Sequence, residues 1–280
     1  MAASLSTELL KLRKRPATWI LAAVLIFLII FFDYFQFYLT VSAIEEEGGQ
    51  SAAGLGDVNE LRDYILPQAV DMNVPGLLSQ FGGPVALILG ALAAGSEYGW
   101  GTLKTSLTQG LGRLSVLGSR ILAITIVLIA FALVVLAVGA AASYVVASLL
   151  GADVSWPSAF ALLKSIGVTC LIFGAWASLG IFLATLFRGT ALAIGIGLVW
   201  GVVVESVIFG FSAQSEIMEA LTRILLARNG GELANSLGDA PAAFSVPDPG
   251  EPWQAALVLA LYVLVPLVLT ALLLKRRDIS

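Results

Sequence analysis

The sequence predicts an all-α, polytopic membrane protein with six transmembrane helices. Three observations carry that reading. Hydrophobic residues make up 59% of the 280 positions and charged residues 12%, where a soluble domain keeps roughly a quarter of its residues charged. Mean hydropathy is +0.95. The apolar runs are also continuous, where the strands of a membrane barrel would alternate at period two.

A hydrocarbon core about 30 Å thick takes roughly 20 helical residues to cross. Six stretches meet that length, approximately Pro16 to Tyr38, Leu77 to Ser96, Ile121 to Leu150, Ser165 to Phe187, Gly189 to Phe211 and Trp253 to Leu274. The first is too long in its apolar core for a cleaved signal peptide, and no small-residue cleavage site follows it. Ahead of it, residues 4–15 place Leu5, Leu9 and Leu12 on one helical face with Lys11, Arg13, Lys14 and Arg15 around the rest, the pattern of an interfacial helix.

Charge in the connections sets the expected orientation. One set of segments carries eleven basic and three acidic residues, net +8, and the other four basic and fourteen acidic, net −10. The positive-inside rule assigns the first set to the cytoplasm, which puts both termini inside and agrees with six crossings. The chain then reads as a single membrane domain over residues 1–280, with outer segments at 45–76 and 212–252 and a cytoplasmic segment at 97–118. In the first outer segment Leu61, Ile65 and Leu66 form a helical pattern within Val58 to Met72 expected to dock on the spans. In the second, Ile217, Leu221 and Leu225 repeat at helical spacing ahead of a Gly230-Gly231 stop.

Several chemistries are excluded by composition. Without histidine, His-based triads, HExxH zinc sites and histidine haem ligation are absent. One cysteine, Cys170, leaves no disulfide framework or thiolate cluster and reads as a packed span residue. None of the five lysines follows a glycine, so the chain has no phosphate-cradling loop and any nucleotide is handled by another subunit. No metal ligand set is visible.

Two acids fall inside apolar runs. Asp33 follows Arg15 by 18 residues and Glu205 follows Arg188 by 17, which places each about 25 Å along its helix, near the outer boundary. Read plainly, each is an interfacial acid that reaches water. Read more sharply, Glu205, with Asp33 beside it as a second candidate, belongs to a conduction path or outer gate, because charges kept inside spans face protein or water. Lys164 is expected to snorkel outward, toward Asp153.

The most informative stretch joins the second and third spans: Glu97 and Tyr98, a Gly-rich turn through Gly101 and Thr102, then Lys104, Leu107, Leu111 and Arg113. Its length, its glycines and its amphipathic basic continuation suit a partner on the cytoplasmic side. This Glu-Tyr-x-x-Gly-Thr-Leu-Lys pattern, with Arg113 and Arg120 following, resembles the ATP-binding-cassette type 2 permease family, the membrane subunits of bacterial exporters related to those for bacitracin, lantibiotics and sodium. The basic N-terminus around Glu8 to Pro16 and the closing Lys275 to Ile279 extend the resemblance over the whole chain. The long 45–76 insertion departs from the minimal pattern.

The resemblance implies a permease in the bacterial plasma membrane that pairs with a second copy or a homologous permease and with two separate ATPase subunits. Residues 97–118 would be the coupling segment seated on the ATPase, and short helices before the last span would partly re-enter from outside. The chain would bind no cofactor; ATP and magnesium would sit on the partner, and no nucleic acid is involved. Membrane lipid completes the surroundings. Two rival classes are an ATP-independent channel or secondary transporter, which needs ionisable groups near mid-membrane, and an enzyme or sensor built on the outer segments.

Overall fold

The computed structural model describes residues 2–46, 49, 51–52, 56–99, 113–238, 240–241 and 250–276. Among the described residues six helices are long and apolar enough to cross a membrane. A helix α1 (Ala2–Lys14) precedes the first of them, α2 (Pro16–Glu46). A two-residue antiparallel pair, β1 (Ser51–Ala52) with β2 (Gly56–Asp57), leads into α3 (Val58–Ile65). Then come the spans α4 (Pro67–Ser96), α5 (Arg113–Leu150), α6 (Ala159–Phe187) and α7 (Thr190–Gly210). Two short helices follow, α8 (Glu216–Thr222) and α9 (Leu226–Asn235), before the last span α10 (Pro252–Arg276).

Local sequence explains where these helices begin and end. Proline at the first position of α2 suits its fixed φ and missing donor, and Arg15 before it is extended. The Asp57 carboxylate accepts from the Asn59 amide at 2.7 Å at the start of α3, and the Ser158 hydroxyl accepts from Ala161 at 3.1 Å at the start of α6. Arg188 takes a left-handed conformation, φ 54°, and turns the chain from α6 into α7.

The centre of the bundle is α4 against α6. A Cβ on Gly90 would collide with the Ala177 carbonyl, and one on Gly180 with the Leu87 carbonyl. The two backbones therefore touch, the close approach that small residues give to membrane helices. Trp176, Phe173, Leu87 and Leu89 fill the layer around this contact. The peripheral spans keep exposed apolar faces, including Phe27 and Phe31 on α2, Leu133 on α5, Val203 on α7 and Leu264 on α10. A span with an apolar exposed face is what lipid requires.

Three spans contain a π-helical stretch: Ile29–Phe35 in α2, Leu78–Gly82 in α4 and Val199–Val204 in α7. Such wide turns collect at functional positions. Asp33 lies within the first, and Glu205 directly follows the third.

The structure corrects several expectations. The spans α2 and α4 are longer than apolar runs alone indicate, reaching Glu46 and back to Pro67. The expected Val58 to Met72 helix breaks at Leu66, extended at ψ 160° before Pro67. Leu61, Ile65 and Leu66 are buried as expected. Gly230 does not stop a helix: α9 runs through it to Asn235, and a Cβ there would press on Ser79 of α4. Ile217, Leu221 and Leu225 do not share a face, because the chain turns at Arg223 to Leu225; Leu225 is buried, whereas Ile217 is 70% exposed. Lys164 places its ammonium 4.8 Å from the Phe160 ring centroid.

Candidate functional site

The spans have a basic end, where α1, the last turn of α4, the start of α5 and the end of α10 lie, and an acidic end carrying α3, α8 and α9. At the acidic end the chain leaves α7 at Gly210, turns through Ser212–Gln214, runs along α8, reverses at Arg223 to Leu225 and returns as α9. The direction of α9 follows from its neighbours on α4. Gly230 lies against Ser79 and Gly238 against Met72, so the helix advances toward the Pro67 end of α4 and its N-terminus is its deepest point. The pair α8–α9 is a re-entrant hairpin. Leu226, Asn229, Gly230, Leu233 and Ala234 bury the α9 face between α4, α6 and α10.

Glu205 closes that deep end. Its Oε1 accepts from the Leu226 amide at 3.1 Å and its Oε2 from the Ala227 amide at 2.8 Å. Leu225, the residue at the cap position, offers no side-chain acceptor, so a carboxylate from α7 satisfies the orphan amides and meets the positive end of the helix dipole. Glu205 lies about 8 Å inside the end of α7 by helical rise.

A second clamp comes from α10. The Tyr262 hydroxyl donates to the Ile224 carbonyl at 3.0 Å, and the Tyr262 carbonyl accepts from the Ser178 hydroxyl of α6 at 2.6 Å. Within the hairpin, Arg228 pairs with Glu232 at 2.8 Å with both side chains under a tenth exposed, and it also bonds Thr222. Asn229 donates to the Leu225 carbonyl at 2.7 Å and the Arg223 carbonyl at 3.0 Å. Each buried polar group of the turn thus has a partner, which fixes the hairpin in one place.

Two site expectations are corrected by burial. Glu205 is 3% exposed and Asp33 1% exposed, so neither is an acid that reaches water. Glu205 is withdrawn because the α9 amides replace its hydration. Asp33 is withdrawn because α2 continues past it to Glu46, leaving it about 20 Å short of the helix end. The two acids belong to separate clusters, Glu205 with α9 and Tyr262, Asp33 with Tyr34 and Tyr64.

At the basic end α1 packs Leu5, Leu9 and Leu12 inward, with α5 as its main neighbour. Lys11 pairs with Glu8 at 2.6 Å, and Arg13 is exposed. Arg15, one of the basic residues of the expected interfacial helix, reaches across to α4: Nη1 donates to the Leu92 carbonyl at 3.0 Å and Nη2 to Ser96 Oγ at 2.7 Å. Helical backbone runs past Ser96 through Glu97 and Tyr98 to Gly99, and Arg113 opens α5. Gly101, Thr102, Lys104, Leu107 and Leu111 lie outside the described residues, as do the side chains of Glu97, Tyr98 and Arg113. Among the described residues no group of three His, Cys, Asp or Glu side chains is placed to hold a metal.

Compared with protein families, residues 2–279 match the model described as ABC-2 family transporter protein. The chain belongs to that family. Among curated proteins none matches it. As an ABC-2 permease it is a multi-pass membrane subunit of an ABC transporter, a class that associates with ABC ATPases. In this permease the carboxylate-capped hairpin and the Arg15 clamp stand at opposite ends of the same central pair, α4 and α6. Sequence pattern points to Glu205 as an acid in an apolar run, but nothing in that pattern names its partners 21 and 22 residues away.

Proposed function

We propose that the chain is the permease half of an ATP-driven exporter in the bacterial plasma membrane, working with a second permease and two ATPase subunits. The basic end faces the cytoplasm, and residues 97–118 receive the ATPase. The re-entrant hairpin is the outer gate. What carries this reading is the Glu205 cap: it fastens a mobile-sized element, two short helices, to a span by interactions that a small shift of α7 breaks together.

ATP-driven closure of the ATPase pair displaces the α4–α5 connection. Arg15 joins α1 and α2 to the end of α4, so α2 and α4 move as one piece. Motion of α4 shifts the Ser79 surface on which Gly230 rests, and release of Leu226 and Ala227 from Glu205 lets the hairpin swing. Each state is discrete because packed interfaces have few alternative arrangements. The chain itself makes and breaks no covalent bond.

The experiment has two readouts. A tagged wild-type chain should co-purify a P-loop ATPase, and vesicles reconstituted with both should move substrate only with ATP. Leu107→Asp and Leu111→Asp should each lose the ATPase, because an unpaired charge buried in an interface costs several kcal/mol. Transport by the chain alone, without ATP, would replace this reading with that of a channel or secondary transporter.

A further inference from the structure

Glu205 and Asp33 are both carboxylates buried within spans, yet the chain treats them differently. Glu205 has two backbone donors. Asp33 lies in mid-helix, where the backbone amides of α2 are engaged in its own turns, and its Oδ2 accepts no hydrogen bond from the described residues. A carboxylate withdrawn from water without compensation is costly. Something else must balance it.

The surroundings of Asp33 are rich in oxygen. Tyr34, 2% exposed, sets its hydroxyl beside Gly139 and Ser143 of α5, against Val70 and Val74 of α4. Tyr64 sets its hydroxyl beside Gly76 of α4 and packs edge-on against Phe37 with centroids 6.1 Å apart. Asn73 is fully buried; its Nδ2 donates to the Tyr64 carbonyl at 3.0 Å, and its Oδ1 accepts from no described residue. Two buried acceptor oxygens therefore lack a donor in one junction of α2, α3, α4 and α5. The nearest basic side chain on α3, Arg62, is turned to Glu45 at 3.6 Å and the Leu150 carbonyl at 3.3 Å.

A surplus of hard oxygen acceptors carrying one negative charge matches a hard cation of one positive charge. A divalent ion would be left half-neutralised by a single carboxylate, and a proton on Asp33 would leave the Asn73 oxygen unanswered. We propose that Asp33, Tyr34 and Asn73 bind a dehydrated alkali-metal cation, sodium or potassium, at the π-helical turn of α2. The wide turn is what brings Asp33 and Tyr34 to bear on the same junction. Occupancy ties α2 to α4 and α5, and the site stands apart from the hairpin and independent of the exporter reading.

The test is thermal unfolding of the full chain, purified in detergent, in sodium, potassium and choline chloride at equal ionic strength and pH. Binding to the folded state alone raises Tm with ligand concentration. The expected result is a saturable rise in sodium or potassium, the two arms deciding which ion is preferred, and none in choline. Asp33→Asn should lose the rise while keeping the choline Tm, and Tyr34→Phe should weaken it. Equal Tm in all three salts for the wild type overturns the proposal, as does an undiminished cation response in Asp33→Asn. A Tm that follows pH alone, with the response lost in Asp33→Asn, also overturns it and assigns the carboxylate a proton. Should Asp33→Asn fail to fold, the wild-type salt series and Tyr34→Phe still decide.

Discussion

Glu205 and Ala227 are joined at 2.8 Å, carboxylate to helix amide, across 22 residues of sequence and from one span to the mouth of a re-entrant helix. That bond and its neighbour at Leu226 make the hairpin part of the bundle. Charge-assisted bonds of this kind contribute about 1.5–3 kcal/mol each. Glu205→Gln keeps the shape and one acceptor but removes the charge, so it should cost about 1–2 kcal/mol. Thermal unfolding should report that loss, with assembly intact and transport reduced. Glu205→Ala should cost more, and equal Tm for all three proteins would remove the cap from the account.

The contact between α4 and α6 makes a second prediction. Because Gly90 faces the Ala177 carbonyl and Gly180 the Leu87 carbonyl, any side chain at either position wedges two backbones apart. Gly90→Val and Gly180→Val should each destabilise by about 1–3 kcal/mol or more, as overpacked cores do. Gly195, whose Cβ would meet open space, is the control, and Gly195→Ala should unfold at the wild-type temperature.

Arg15 offers a functional prediction at the basic end. Arg15→Met removes the bonds to Leu92 and Ser96 while keeping an apolar stem. The complex should still form and hydrolyse ATP, with less transport per ATP consumed. Arg15→Lys should restore little, because one ammonium does not span both acceptors as a planar guanidinium does. An unchanged ratio of transport to hydrolysis in Arg15→Met would make the clamp a structural detail only.

Orientation is tested by thiol labelling. Cysteines at Ser51 and Ser236 should react with an impermeant reagent in intact cells, and a cysteine at Ser106 only after the membrane is opened. Net charges of +8 and −10 on the two sides underlie this expectation. Reaction at Ser106 in intact cells would invert the map.

Much of the fold was legible because membrane crossing imposes length and composition directly: each of the six apolar runs became a span. The ends were less legible, since Val70, Met72 and Val74 continue α4 beyond its most apolar stretch. Gly230 shows why the hairpin could not be read through. A glycine after a helical pattern is most often a stop, yet here it serves the approach to Ser79, and that neighbour lies about 150 positions away. The burial of Asp33 and Glu205 was hidden for the same reason. Position along a helix gives depth, whereas the groups that exclude water come from α9 for one and from α3, α4 and α5 for the other.

Gating as proposed requires that the hairpin held by Glu205 be released during the transport cycle. Hydrogen–deuterium exchange over residues 226–235 in the reconstituted complex tests it most directly. Exchange should be slow in the nucleotide-free complex, faster when the ATPases are trapped closed on ATP, and fast in both states for Glu205→Gln. Equally slow exchange in both nucleotide states of the wild type would contradict it.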